Sequence, residues 1–547
     1  MNLPTPAIVA ERDAQSLPRL ALLLLCAAYV LPGLFGRDPW RNADLSSFGF
    51  MASIAKGHAT WWLPAIAGIP AEAGPLPYWV GAVAIKLLPF FDAAFAARLP
   101  FALILALALM LVWYSSFHLA STAAAQPVAF AFGGEAHAVD YARALADGAL
   151  LALIASLGLL QLGHETTPEL LQLLAISLYL YGLAAAPYRI NKSRWATLFS
   201  LPMLAASGAP AIALAFAGFG TLLCKRSSYV EVRKLMPWML AAGLLAAFSA
   251  WEFNAWIWRV GIVSTADLPL SMLTLIGWFC WPAWPLAMWA IWRWRTHWQH
   301  RHILLPLVTL LIPLVTSILM GGSDRALLLS LPAMAVLAAF ALPTLRRSMT
   351  AAMDWFSVFF FSACALFFWV YYISMHSGWP ATPLANLRRL AEGFEPSFNG
   401  VALGLALLAS AAWLALVRWR TSRHRHALWK SLVLPAGGVA LNWMLITTLL
   451  LPPLNYARSD QPLVERLRAH VPVDADCIAA PNQALPTLAA LEFQGGWRVN
   501  SDASLINSLC NYALLGQLAP IPPGWVQVAS VGRPTDRSPS FIVLRRH

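Results

Sequence analysis

Apolar runs of roughly 18 or more residues recur along most of this chain, and a run of that length is satisfied by a helix crossing the ~30 Å hydrocarbon layer of a membrane. Such a helix closes its own backbone hydrogen bonds, so the architecture reduces to counting spans and orienting them. Composition agrees, since 59% of the 547 residues are hydrophobic and 11% charged, far more apolar than a soluble domain tolerates. The net charge of +12 is therefore read as membrane topology and not as a nucleic-acid footprint. The 26 Trp residues fit indole rings held at the membrane boundary.

The runs predict an all-α polytopic protein of about thirteen spans, over 19–36, 95–117, 145–163, 169–186, 195–207, 209–224, 235–252, 269–292, 303–321, 326–343, 353–373, 399–417 and 430–451. Residues 1–18 are polar for too long to be a cleaved signal, so the first run stays as a span. Ser207-Gly208-Ala209-Pro210 breaks the fifth and sixth runs into a re-entrant pair or a kinked hairpin.

Lys and Arg gather at Arg189/Lys192/Arg194, Lys225/Arg226/Arg233/Lys234, Arg293/Arg295/Arg301, Arg346/Arg347 and Arg418/Arg420/Arg423/Arg425/Lys430. All five clusters fall on one side of this layout, which the positive-inside rule makes cytoplasmic. Segments 37–94, 164–168, 253–268, 322–325, 374–398 and 452–547 then face outward. The segment 118–144 is placed inside although its acids outnumber its bases. It is read as a structured connector, with a partner-docking loop as the other reading; its Gly133-Gly134 pair lacks the Lys and Ser/Thr of a nucleotide loop.

The transmembrane domain thus covers 19–451, and 452–547 alternates a helical pattern with short strand-like runs, a small α/β domain. Cys26, Cys224, Cys280 and Cys364 lie in apolar runs and pack as small hydrophobes. Cys477 and Cys510 lie in the polar tail and can bridge if that tail is outside the cytoplasm. The histidines at 297, 300, 302, 424 and 426 are interleaved with Arg and read as solvated basic surface. No metal motif with ligand spacing appears, and no cofactor is expected.

The chemistry concentrates in 37–94, where Asp44 and Glu72 lie beside Arg37, Arg41 and Lys56. Asp44 is a candidate general base; its structural reading is an N-cap for the helix that LSSFGFMASIAKG would form. The loop GHETTPEL over 163–170 adds His164, Glu165 and Glu169, although Pro168 and Glu169 also suit a first helical turn. Outward cations are Arg37, Arg41, Lys56, Lys86, Arg98 and Arg325, of which Arg41 and Arg325 are favoured for a phosphate; the structural alternative for Arg325 is snorkelling or a pair with Asp324.

Three stretches of this loop, RDPW followed by AD, GHATWWLPAIAGIP, and Glu72-Ala-Gly-PLPYW, resemble the first large loop of GT-C glycosyltransferases of the lipid A aminoarabinose transferase and protein O-mannosyltransferase type. AARLPFALILAL at 96–107, ASGAP at 206–210 and GGSDRALLLSLPAMAVLAAF at 321–340 follow in that family's order. The resemblance implies a GT-C fold, an inverting transfer from a polyprenyl-phosphate sugar to a lipid, glycan or protein acceptor, and a bacterial inner-membrane site with periplasmic loops and tail. It implies Asp44, Glu169 and Glu165 as catalytic acids. Glu72, His164, Arg37, Arg41, Arg325, Lys56 and Tyr78 would bind substrate. The chain departs from the family at Leu45, Ala73 and Ser207-Gly208, where the pattern has Glu, Lys and Thr-Lys-Gly. That leaves a second reading, a non-catalytic scaffold that binds or translocates lipid-linked sugars.

Overall fold

The computed structural model describes residues 5–256, 268–422, 427–502, 505, 508–536, 538 and 540–547. Arg423, His424, Arg425, His426 and most of the 253–268 loop lie outside the described residues. The chain divides into two compact units, one of Met1–Pro32, Phe101–Ala365 and Leu407–Met444, the other of Gly33–Pro100, Leu366–Ala406 and Leu445–His547.

Seven helices among the described residues are long and apolar enough to cross a membrane: Ala93–Ala120, Pro168–Ala185, Val230–Glu252, Arg301–Leu319, Arg347–Ser377, Gly400–Thr421 and Lys430–Leu449. Leu270–Phe279 and Ala283–Arg293, bent by 99°, make an eighth if counted as one. The chain is a multi-pass membrane protein. Other expected spans are shorter or divided. The run 19–36 is helical over Arg19–Val30, 145–163 divides at Ser156 into Ala138–Ala155 and Leu157–Leu162, and 326–343 divides into Asp324–Leu328 and Leu331–Ala341. The break at Ser156 leaves the run apolar on both sides, so hydropathy does not register it, whereas Pro32-Gly33 follows the first helix and Ser330 and Pro332 mark the last division.

Within the first unit, Pro168–Ala185 packs along Ile190–Ala206, and Met236–Glu252 packs on both Ile190–Ala206 and Pro210–Arg226. The approach at Gly182 demands glycine, because a Cβ there would meet Thr197 Oγ1 at 2.8 Å. The break at 207–210 joins two 17-residue helices, with Gly208 at φ +97°. The connector is structured: Val128 and Ala136 donate their N–H groups to Ala7 and Val9 carbonyls at 2.9 and 3.0 Å, so the N-terminal arm lies along it.

In the second unit, 37–94 is a folded subdomain and not an open loop. It holds helices Ala43–Lys56 and Leu76–Leu87 and a hairpin of β1 (Ala65–Ile66) with β2 (Ile69–Pro70), turned through Ala67 and Gly68 at φ +50° and +83°. Ala43–Lys56 rests on Leu485–Ala489 of the tail. Gly49 permits it, since a Cβ there would approach Ala489 at 2.7 Å and Ile66 at 2.8 Å. The hairpin turn is clasped from the tail: Glu492 Oε1 accepts the Ala67 N–H at 3.1 Å and Ser501 Oγ donates to the Ala67 carbonyl at 2.7 Å.

The tail is a small α/β domain. Its sheet contains β3 (Ile478–Ala479), β4 (Val499–Asn500), β5 (Tyr512–Gly516), β6 (Trp525–Val531) and β7 (Phe541–Arg546), in the order β4-β3-β5-β7-β6. β3 runs parallel to β4 and β5, and the other pairs are antiparallel. Cys477 and Cys510, just ahead of β3 and β5, form a disulfide with Cα atoms 5.0 Å apart.

Candidate functional site

Most of the acids and cations nominated by the sequence gather in two clusters, one in each unit. The first surrounds the start of Ala43–Lys56. Asn42, at φ +71°, turns the chain into the helix and occupies the cap position without a side-chain cap bond. Asp44 is therefore not the N-cap; it stands in the first helical turn, where a carboxylate faces the positive end of the helix dipole. Its Oδ2 accepts the Trp40 N–H at 3.2 Å and Arg37 Nη2 at 3.1 Å. The side chains of Arg37 and Asp44 are 0% and 2% exposed, a fully buried ion pair.

Trp40 organises the cations around it. The Arg37 guanidinium lies 4.9 Å from its ring centre and that of Arg458 lies 5.1 Å away. Such contacts contribute about 0.5–2 kcal/mol each, more when desolvated. The indole Nε1 donates to Asn455 Oδ1 at 3.1 Å, which also accepts the Asp38 N–H at 3.3 Å, while Asn455 Nδ2 donates to the Gly36 carbonyl at 2.7 Å. Arg41 reaches the Ala457 carbonyl and Thr535 Oγ1, and burial pulls its guanidinium below its ordinary pKa. It is thus committed to the tail.

Arg98 is 4% exposed and within electrostatic reach of Arg37, Asp44, Asp38 and Asp92. Its Nη2 has no hydrogen-bond acceptor among the described residues. The sequence ranked Arg98 below Arg41 and Arg325, yet it is a buried guanidinium with an N–H group left for an anion. Burial holds the Asp38 carboxyl above the usual carboxylate range, against the pull of Arg98 and the Ser459 hydroxyl. Asp38, Asn455 and Arg458 were not nominated from sequence; the polar run NYARSD directly after the last span was the available signal.

The second cluster is built on the loop between Leu157–Leu162 and Pro168–Ala185. Arg325 Nη2 donates to Glu165 Oε2 at 2.7 Å, and Nη1 donates to Glu169 Oε2 at 3.2 Å and Thr167 Oγ1 at 3.3 Å. Burial lowers the affinity of Arg325 for its proton, but Glu169 and Glu165 outweigh it and the pKa stands above the ordinary value. Arg325 is thus held by two carboxylates, and the alternative reading, a pair with the Asp324 side chain, does not form; Asp324 Oδ1 accepts the Arg325 backbone N–H, at 2.8 Å. Glu165 is 3% exposed and also accepts Gln161 Nε2 at 3.0 Å. Glu169 is 21% exposed, and its Oε1 takes no hydrogen bond among the described residues.

His164 turns both ring nitrogens to carbonyl oxygens, Nδ1 to Leu160 at 2.7 Å and Nε2 to Tyr29 at 2.8 Å, and its ring lies 4.5 Å from Trp443. It braces the loop that carries Glu165. Three other nominated residues stand apart in the second unit. Glu72 is exposed without an ion pair among the described residues, Lys56 covers the Phe493 ring at 4.9 Å, and Tyr78 is buried 4.9 Å from the Phe50 ring.

No family model matches the chain, and no curated protein does so by sequence. Solved structures match by fold. ArnT from Cupriavidus metallidurans bound to undecaprenyl phosphate is 15% identical with a TM-score of 0.57, and its apo state is 14% identical with a TM-score of 0.59. Each match covers 96% of both chains. The AglB oligosaccharyltransferase of Archaeoglobus fulgidus, in complex with an inhibitory peptide and a dolichol-phosphate, follows at 11% identity and a TM-score of 0.46 over 88% of this chain and 64% of that one. The chain has the GT-C fold seen in ArnT, over 96% of its length.

Proposed function

We propose that this protein is an inverting glycosyltransferase of the inner membrane. It takes a sugar from a polyprenyl-phosphate donor and passes it to a lipid, glycan or protein acceptor on the periplasmic side. The observation that carries this reading is the loop cluster, a buried carboxylate with two buried guanidiniums, one of which keeps an N–H group without a protein acceptor. Its bearing on lipid-phosphate chemistry comes from the shared fold with ArnT, which binds undecaprenyl phosphate.

In this reading the acceptor oxygen or nitrogen attacks the anomeric carbon as its bond to the phosphate oxygen breaks. The polyprenyl phosphate leaves with the electron pair, and the acceptor's proton passes to a carboxylate. Arg98 and Arg37 offer fixed positive charge to the departing phosphate, the kind of preorganised field that lowers such barriers most. Each unit offers one candidate for that carboxylate, to be told apart by experiment: Asp44 in the second, the acid implied by the resemblance, and Glu169 in the first, whose Oε1 takes no hydrogen bond among the described residues. Arg325 and Glu165 orient Glu169. Neither a metal nor a cofactor is invoked. The disulfide in the tail supports an oxidising, periplasmic location.

The test is transfer by the purified chain from a panel of radiolabelled polyprenyl-phosphate sugars to lipid extract, run beside Asp44→Asn, Glu169→Gln and Arg98→Gln. Loss of transfer in one carboxylate variant identifies the proton acceptor, and weakened donor binding in Arg98→Gln supports the phosphate role. Leu45 and Ala73 favour the second reading, a lipid-linked sugar binder without catalysis. Donor binding with no transfer from any donor would establish it and sink the first.

A further inference from the structure

In the first unit, the starts of Arg347–Ser377 and Lys430–Leu449 and the end of Gly400–Ser422 surround a cleft of about 760 Å³. That volume lies in the roughly 300–1,000 Å³ range of small-molecule sites. All three helices reach the cleft at ends that carry the Lys/Arg clusters, so it opens where a span meets the lipid headgroups. Its lining includes the apolar Leu342, Leu345, Val358 and Val417 and the exposed indole of Trp355. It also includes Arg347, Arg420, Lys430, Asp354 and Ser431.

The lining carries three cations, Arg347, Arg420 and Lys430, and one acid, Asp354. Arg420 binds Asp354 through Nε, at 3.2 Å, and through Nη2. Lys430 is a second cation within electrostatic reach of the same carboxylate. Arg347 makes no side-chain ion pair or hydrogen bond among the described residues. The Ser431 hydroxyl lines the cleft, is 2% exposed and has no hydrogen-bond partner among the described residues. A buried hydroxyl without a partner is costly, and an incoming acceptor oxygen removes that cost.

We infer that this cleft binds a phosphate ester, the headgroup of an anionic membrane lipid. The phosphate oxygens take Ser431 and the Arg347 guanidinium, and the acyl chains leave past Trp355 along the exposed apolar face that continues to Phe359. Basic pockets between spans at the cytoplasmic surface are suited to such headgroups. The inference stands apart from the transfer reaction, because none of its residues belongs to either acid cluster.

The experiment uses the full chain, purified and delipidated, titrated by native mass spectrometry with phosphatidylglycerol, with phosphatidylcholine of the same acyl chains, and with glycerol phosphate. Phosphatidylglycerol should bind more tightly than phosphatidylcholine. Arg347→Gln should weaken phosphatidylglycerol about fivefold, the effect of one surface cation, and Arg347→Glu should weaken it further. Ser431→Ala should act in the same direction. Glycerol phosphate binding as well as the lipid would support the phosphate site and assign it to a soluble ester. Equal binding of the two lipids, or phosphatidylglycerol binding indifferent to all three variants, would overturn the inference. Arg347 is exposed, so its variants keep the fold, and transfer activity measured in parallel reports separately on the acid clusters.

Discussion

Asp44→Asn and Glu169→Gln each neutralise one acid, yet the structure gives them very different consequences for stability. Asp44 is the counter-ion of Arg37, and both side chains are out of solvent. Neutralising it leaves a buried guanidinium without its charge partner, a change that costs about 3–5 kcal/mol. Glu169 shares Arg325 with Glu165, which remains at 2.7 Å, and it is 21% exposed. Losing its charge should cost no more than about 1 kcal/mol, as for other solvent-touched pairs. Size-exclusion chromatography after stepwise heating in detergent should therefore place Asp44→Asn well below the parent and Glu169→Gln close to it. The double variant Arg37→Met with Asp44→Leu removes both charges and should recover much of the loss, because neither partner is then buried alone. Equal transitions for the two single variants, or a double variant less stable than Asp44→Asn, would refute the argument. Loss of transfer in Glu169→Gln at parental stability is consequently the cleaner sign of a catalytic carboxylate.

Two further outcomes follow from groups in the second unit. Burial raises the Asp38 carboxyl pKa, so the native chain keeps that proton to higher pH than the unfolded chain does. The associated stability is fully present below the ordinary carboxylate pKa and is lost as pH rises through the raised folded value. Asp38→Asn should flatten the pH dependence of the thermal transition in that window, and an unchanged slope would count against it. The disulfide closes a loop with a sequence separation of 33, which by chain entropy corresponds to roughly 3–4 kcal/mol. Cys510→Ser should make the tail the first segment cut in limited proteolysis, and a cleavage pattern identical to the parent would contradict that contribution.

Hydropathy made the membrane-spanning character legible, because a long apolar run has few other solutions, but not that the tail shares one compact unit with 33–100 and 366–406. It could not show where a span stops while remaining apolar, as at Ser156, where the backbone leaves helical geometry without any change in composition. The burial of the helix Ala43–Lys56 was hidden for a different reason. LSSFGFMASIAKG reads as a helix inside an outward loop, whereas most of its residues are buried, against Leu76–Leu87 close by and against Leu485–Ala489 hundreds of positions away. The acid clusters were half legible. Residue type nominated Glu165, Glu169 and Arg325, but their mutual pairing spans 160 and 156 positions, and no local pattern encodes it. Arg325 was accordingly given to a phosphate when its geometry gives it to two carboxylates.

The bond from Trp40 to Asn455 joins residues 415 positions apart, and this sets a clock on biogenesis. A ribosome adding about 5–20 residues per second delivers Asn455 on the order of 20–80 s after Trp40 has been made. Through that interval Arg37 and Asp44 have been synthesised but the indole that covers them has no asparagine to hold it. The segment must wait in a wet, unfinished form while the intervening helices are threaded into the bilayer. The protein's last sixth thus acts as the keystone of its first tenth, and a chain that stops short of residue 455 would carry every nominated acid and still lack the Asn455 bond that holds Trp40 beside Asp44.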